Sequence, residues 1–156
     1  MPEFVIALGE LQEHEGQLAA AQQSYDLVRV IDKLSASGGV DVDLELALFD
    51  ADHGADLAAT VARAREVLAR RPSIYAADTL AWALYRAGNI TEARTYSNHA
   101  LRLGTRDAQL HFHAGMIALA AGDKPGAKAE LSLALQINPH FNVLRADEAR
   151  AMLAML

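Results

Sequence analysis

The chain has 156 residues, enough for one domain with a sizeable core, and its hydrophobic fraction of 52% comes with only 6% aromatic residues. It contains no cysteine, which excludes disulfides and thiolate metal sites and suits a reducing cytoplasm, where we expect the protein to reside. Residues 1–56 carry twelve acidic and two basic side chains, whereas residues 57–156 carry eight acidic and twelve basic ones. This asymmetry argues against a nucleic-acid groove along the whole chain, and the absence of a long apolar run argues against a membrane partner.

The first predicted element is a pair of helices over about residues 2–34. It carries Leu8-Gly9, a turn at Gly16, and then Ala21 and Tyr25 at helical spacing. The chain opens on apolar residues at Phe4 without a polar cap. We therefore expect either that the chain is part of a longer repeat protein or that a partner covers the first helix. The composition of Ser35–Gly39 predicts a loop after this pair.

The second predicted pair spans about residues 41–72 and is the least regular. Asp50 and Arg63 occupy positions where the first and the second helix of such a pair normally carry a large apolar side chain. The segment 50–56 begins like a calcium-binding loop, but Ala55 stands where the loop requires glycine and Val61 where it requires glutamate. The sequence therefore predicts no metal site there.

The third and fourth pairs span about residues 73–105 and 106–139. Glycines recur every 34 residues at Gly54, Gly88 and Gly122, each at a predicted turn between two helices. Phe141–Leu156 predicts one more helix, over about 141–155, which would cover the last exposed core face. The alternative is that its apolar end docks into another copy.

These residues resemble the tetratricopeptide repeat, most closely over 111–139, where Gly115, Gly122, Ala127, Leu131 and Pro139 are in register. The resemblance covers about residues 2–139. It implies an all-α, right-handed superhelix of about four helix pairs plus a C-terminal capping helix, forming a single domain over 1–156. It also implies that the first helix of each pair lines a concave groove that holds a peptide or a partner helix.

Helical register then indicates which side chains face this predicted groove. If Leu80 and Leu84 face the core, a neighbouring stripe on the same helix is left for a partner. An exposed aromatic stripe is typical of a binding surface, although Trp82 packed between neighbouring helices is the alternative. The predicted groove residues are Glu10, Glu13, Leu44, Leu48, Tyr75, Asp78, Trp82, Tyr85, Arg86, Phe112 and Met116.

The pattern favours a non-enzymatic scaffold that binds a protein or peptide. No nucleophile motif, phosphate loop or dinucleotide fingerprint occurs, so we expect no catalytic residues, no cofactor and no metal. His111 and His113 point about 200° apart on a helix and cannot share an ion, and His111 is expected to be a core histidine. Two alternatives stay open: a homo-oligomer that stacks its acidic end on its basic end, or a regulatory part of a larger enzyme or transcription factor.

Overall fold

The computed structural model describes residues 2–38, 43–54 and 56–156, and over these residues the chain is all-helical, with nine α-helices and no strand. The helices are α1 (Pro2–His14), α2 (Leu18–Gly38), α3 (Asp43–His53), α4 (Leu57–Arg70), α5 (Ile74–Arg86), α6 (Ile90–Leu101), α7 (Ala108–Ala120), α8 (Lys124–Ile137) and α9 (Arg145–Met155). Within the described part of the chain, no helix is both long and apolar enough to cross a bilayer.

Consecutive helices pack as neighbours, so that α1/α2, α3/α4, α5/α6 and α7/α8 form four hairpins and α9 packs on α8. The tight turns depend on glycine at Gly16, Gly88 and Gly122, whose φ angles are 76°, 82° and 80°. L-residues with a Cβ rarely adopt these angles, which explains glycine at these three turns, whereas Gly54 at the second turn does not have a positive φ. Side-chain caps start the later helices: Ser73 accepts the backbone N–H of Ala76 at 3.0 Å.

Two predicted boundaries differ from the structure. The segment 35–38, predicted as a loop, continues α2, while Gly39 and the start of the second predicted pair lie outside the described residues. Its serines fit a helix because Ser37 Oγ donates to the carbonyl of Leu34 at 2.8 Å, back along the same helix. The capping helix begins at Arg145 rather than at residue 141, because Asn142 Oδ1 accepts the backbone N–H groups of Leu144 and Arg145 at 2.8 and 2.9 Å.

The main core lies between the third and fourth hairpins. Leu80, Leu84, Phe112, Ile117 and Leu131 are all fully buried there. Partly buried residues of α9 pack against this cluster, namely Met152, Leu153 and, just beyond the helix, Leu156. The C-terminal helix therefore covers the end of the core, as the sequence predicts.

The two irregular residues of the second hairpin are partners of each other. Arg63 Nη1 donates to Asp50 at 2.9 Å and its Nη2 donates to Asp32 of α2 at 2.6 Å. Arg29 of α2 also pairs with Asp50. A four-residue ionic network thus supplements the apolar contacts between the first two hairpins, such as those of Val28 with Leu46 and Phe49.

Candidate interaction surfaces

The middle of the predicted groove is not an open surface. Trp82, Phe112 and Met116 are 1%, 0% and 6% exposed, and Asp78 is equally inaccessible at 5%. The expectation of an exposed aromatic stripe is therefore wrong at these positions. Trp82 is instead packed between helices, which is the alternative interpretation offered by the sequence.

The chain covers this region with its own C-terminal segment. Phe141 lies against Phe112, with ring centroids 5.5 Å apart. Asn142 Nδ2 donates to Glu10 of α1 at 2.9 Å, and Arg145 donates to Asp52 of α3 at 2.7 Å. Residues 141–145 thus bridge from the fourth hairpin to the first two, across the face where a ligand was expected.

Polar contacts orient the indole beneath this cover. Trp82 Nε1 donates to Asp52 at 3.0 Å, and the ring stacks on Tyr85 and His113 at centroid distances of 4.8 and 4.2 Å. Burial disfavours the charge of Arg145, but Asp52 and Glu148 outweigh that effect and raise its pKa. The buried tryptophan therefore belongs to a structural network.

The charged residues of the predicted groove are also engaged within the chain. Glu13 accepts the hydroxyl of Tyr25 at 2.7 Å, and burial together with this bond raises the pKa of that phenol. Arg86 donates to the backbone carbonyl of Asp52 at 3.1 Å. The structure therefore brings Glu10, Glu13 and Arg86 together with the covered part of the groove, but as internal partners.

The two histidines of α7 hold carboxylates. His111 Nδ1 lies 2.6 Å from Glu130 of α8, and His113 Nδ1 lies 2.7 Å from Asp78 of α5. They reach different helices, so they share no ligand. The interpretation of His111 as a satisfied core histidine is confirmed.

Two parts of the predicted groove still line cavities, and one of these, of about 470 Å³, lies between Tyr85, Arg86 and Arg145. Leu44, Leu48 and Tyr75 line a small cleft of about 160 Å³ at the N-terminal ends of α5 and α7. Tyr75 is 47% exposed, in contrast to Trp82 on the same helix. The cleft thus lies near the N-terminal end of α5, whereas the covered region lies further along the same helix.

The exposed large hydrophobic side chains are concentrated on the first hairpin, where the groove prediction named only Glu10 and Glu13. Among the described residues, seven of the ten exposed large hydrophobic side chains belong to α1 and α2. Six of them form two stripes at helical spacing, which we call the N-terminal apolar face: Phe4, Leu8, Leu11, Leu27, Val30 and Leu34.

Neither stripe contributes to the apolar cluster that packs the first hairpin on α3. Tyr25 marks the inner side, since its ring packs on Phe49 of α3 at 5.5 Å. Ser24, one residue earlier, donates to Gln12 of α1 at 2.7 Å, within the contact between the two helices of the hairpin.

In later hairpins, the positions equivalent to the α1 stripe are covered by the preceding hairpin. Leu8 corresponds to Leu46 and Leu80, each 1% exposed, whereas Leu8 itself is 49% exposed. Leu11 corresponds to Phe49, which packs under Tyr25 and Arg29 of α2. The positions of the α1 stripe are thus exposed in the first hairpin and buried in the other described hairpins.

The α2 stripe is not explained by the repeat pattern. In the third hairpin, the positions of Leu27 and Val30 carry the exposed polar residues His99 and Arg102. The spacing of Leu27, Val30 and Leu34 is visible in the sequence and would have indicated this surface.

No model of a known protein family matches this chain, and no curated protein matches it either.

Proposed function

We propose that this chain is a non-enzymatic protein-interaction module of the tetratricopeptide type, in which stacked hairpins form a right-handed superhelix. It docks an amphipathic helix of another protein on its N-terminal apolar face. The observation that supports this is the exposure of Leu8 and Leu11 where every equivalent described position is buried under a neighbouring hairpin. Apolar patches of this kind usually mark interaction sites.

The negative charge of the first hairpin determines which kind of partner helix can bind there. Residues 1–56 have a net charge of −10; the exposed acids Glu3 and Asp26 lie on the two helices that form the face, and the exposed Glu15 lies in the turn between them. Two copies packed through this surface would bring these acids together. A partner helix with an apolar stripe and basic flanks gains apolar burial without that repulsion.

The test is affinity capture from the native cell with matched variants. Leu8→Glu and Leu27→Glu each place a charge on the face at a half-exposed position, so the fold should persist. Leu103→Glu is the control, because Leu103 is 67% exposed but lies outside the face. We expect a partner retained by the wild type and the control and reduced about tenfold or more by both face variants, since a buried unpaired charge costs several kcal/mol.

A captured protein counts only if, once purified, it binds the wild type directly with the same dependence on Leu8. Retention of all partners by Leu8→Glu would contradict the proposal. Sedimentation that shows the wild type as a dimer and Leu8→Glu as a monomer would contradict the assigned occupant, because it would identify a second copy.

A further inference from the structure

The open cleft combines apolar walls with a carboxylate at its base. Its walls come from three successive hairpins, with Leu44 and Leu48 on α3, Tyr75 on α5 and Leu110 on α7. Asp78 lies among them, one helical turn after Tyr75. The cleft holds about 160 Å³, which suits one side chain rather than a large ligand.

Three carboxylate side chains line this cleft, and no basic side chain does. The three are Glu45, Asp78 and Asp107. Asp107 is already engaged, since its Oδ1 accepts the backbone N–H of Gln109 at 2.9 Å. Glu45 is exposed at the rim. The charge at the cleft is therefore uniformly negative.

Asp78 has hydrogen-bonding capacity to spare. Its side chain is only 7% exposed; Oδ2 is bonded to His113 at 2.7 Å, and Oδ1 has no hydrogen-bond partner. A buried acceptor without a partner is costly, by about 1–3 kcal/mol. Burial raises the pKa of Asp78, although His113 opposes that effect. A donor that enters the cleft would stabilise the carboxylate.

We propose that this cleft binds the side chain of a lysine or arginine residue from a peptide segment of a protein partner. The leucines and Tyr75 contact the aliphatic stem, and Asp78 accepts hydrogen bonds from the cationic head. Such side chains combine an apolar stem with a charged end, which matches both parts of the cleft. A metal ion would use the carboxylates but not the apolar walls.

This inference rests on the proposed role in protein binding but concerns a different surface. The cleft joins α3, α5 and α7, whereas the N-terminal apolar face is formed by α1 and α2. Loss of one site therefore leaves the other testable. Variants in the cleft should not alter capture that depends on Leu8.

The probe is N-acetyl-lysine methylamide, titrated into the full chain and followed by amide chemical shifts. N-acetyl-norleucine methylamide is the neutral control of similar shape. We expect saturable shifts at Leu44, Tyr75 and Leu110 with the lysine compound, and binding about tenfold weaker or more with norleucine. Equal response to both compounds, or no saturable response at these residues, would overturn the proposal.

Two variants test the assigned contacts. Asp78→Asn preserves the shape of the side chain but removes its charge, and should weaken lysine binding about tenfold. Asp26→Asn, on exposed α2, is the control and should leave it unchanged. If Asp78→Asn does not fold, Tyr75→Ala decides, because its exposed ring can be removed with little effect on the core. Unchanged lysine binding in Tyr75→Ala would refute the cleft assignment.

Discussion

At the scale of single residues, the second hairpin shows how an exception to a repeat pattern is accommodated. Asp50 and Arg63 break the apolar pattern, yet each lies opposite the other and both meet charged residues of α2. Removal of either residue would leave the charges of this partly buried network only partly compensated. The sequence predicts the irregularity of this hairpin, but it does not pair the two residues, because their contact depends on how two hairpins stack.

We expect this pair to be energetically coupled. Asp50→Leu and Arg63→Leu should each lower the free energy of unfolding by about 2 kcal/mol or more, since each leaves charges behind. The double variant should lose less than the sum by about 1 kcal/mol or more. Urea unfolding of the four proteins measures this coupling.

The exposed pair Arg65–Glu92 is the control for that cycle. Its atoms are as close, 2.7 Å apart, but its side chains are 44% and 40% exposed. Solvent screening should limit its coupling to about 0.5 kcal/mol. Equal coupling in the two pairs would contradict the role assigned to burial.

At the scale of elements, the side chains that face each other between the two helices of a hairpin are complementary in size. A Cβ at Gly115 would lie 2.6 Å from Cγ of Leu131, so a large residue on α8 requires glycine on α7. Gly9 faces Tyr25 in the same way. One period before Gly115 and Leu131, the pair is Ala81 and Ser97, both buried. Close helix packing thus depends on the sum of the two side chains rather than on one conserved type.

Gly115→Ala should therefore destabilise the chain by about 1–3 kcal/mol, because Leu131 cannot move away without cost. Leu131→Ser alone should also destabilise it, by leaving a cavity. The double variant reproduces the combination of the third hairpin and should lose about 1 kcal/mol or more less than the sum. Thermal or urea unfolding of the full chain measures all three.

Ala129 is an exposed position in α8, and a variant there serves as the control for the helix propensities of alanine and glycine. Ala129→Gly should cost about 1 kcal/mol, so alanine is the better residue wherever no contact interferes. A stabilised Gly115→Ala variant would therefore show that the contact with Leu131 does not limit the packing of α7 on α8.

At the scale of the whole molecule, regular features of the sequence predict the architecture well. The glycine period and the apolar spacing locate the hairpins, since turn geometry and helix amphipathicity are local properties. The accessible surface is predicted poorly. Contacts such as Asn142 with Glu10 join residues 132 positions apart, and no local pattern carries that information. The groove prediction is wrong at Trp82 and Phe112 for this reason.

The packing of the whole molecule also determines where a partner can bind. The C-terminal segment covers the middle of the predicted groove, and the surfaces that we propose for other proteins are the N-terminal apolar face and the small acidic cleft. Stacked repeats bury each hairpin under its neighbours, and no described residue covers the apolar stripes of the first hairpin. That face is the central element of the proposed function.

Amide hydrogen exchange of the purified complex, compared with the free chain, tests this claim most directly. Binding should slow exchange at residues 3–12 and 26–35, which carry the two stripes, while exchange at Trp82 and Phe112 stays as slow as in the free chain. Protection confined to other helices, or faster exchange at Trp82 as the C-terminal segment is displaced, would contradict the account.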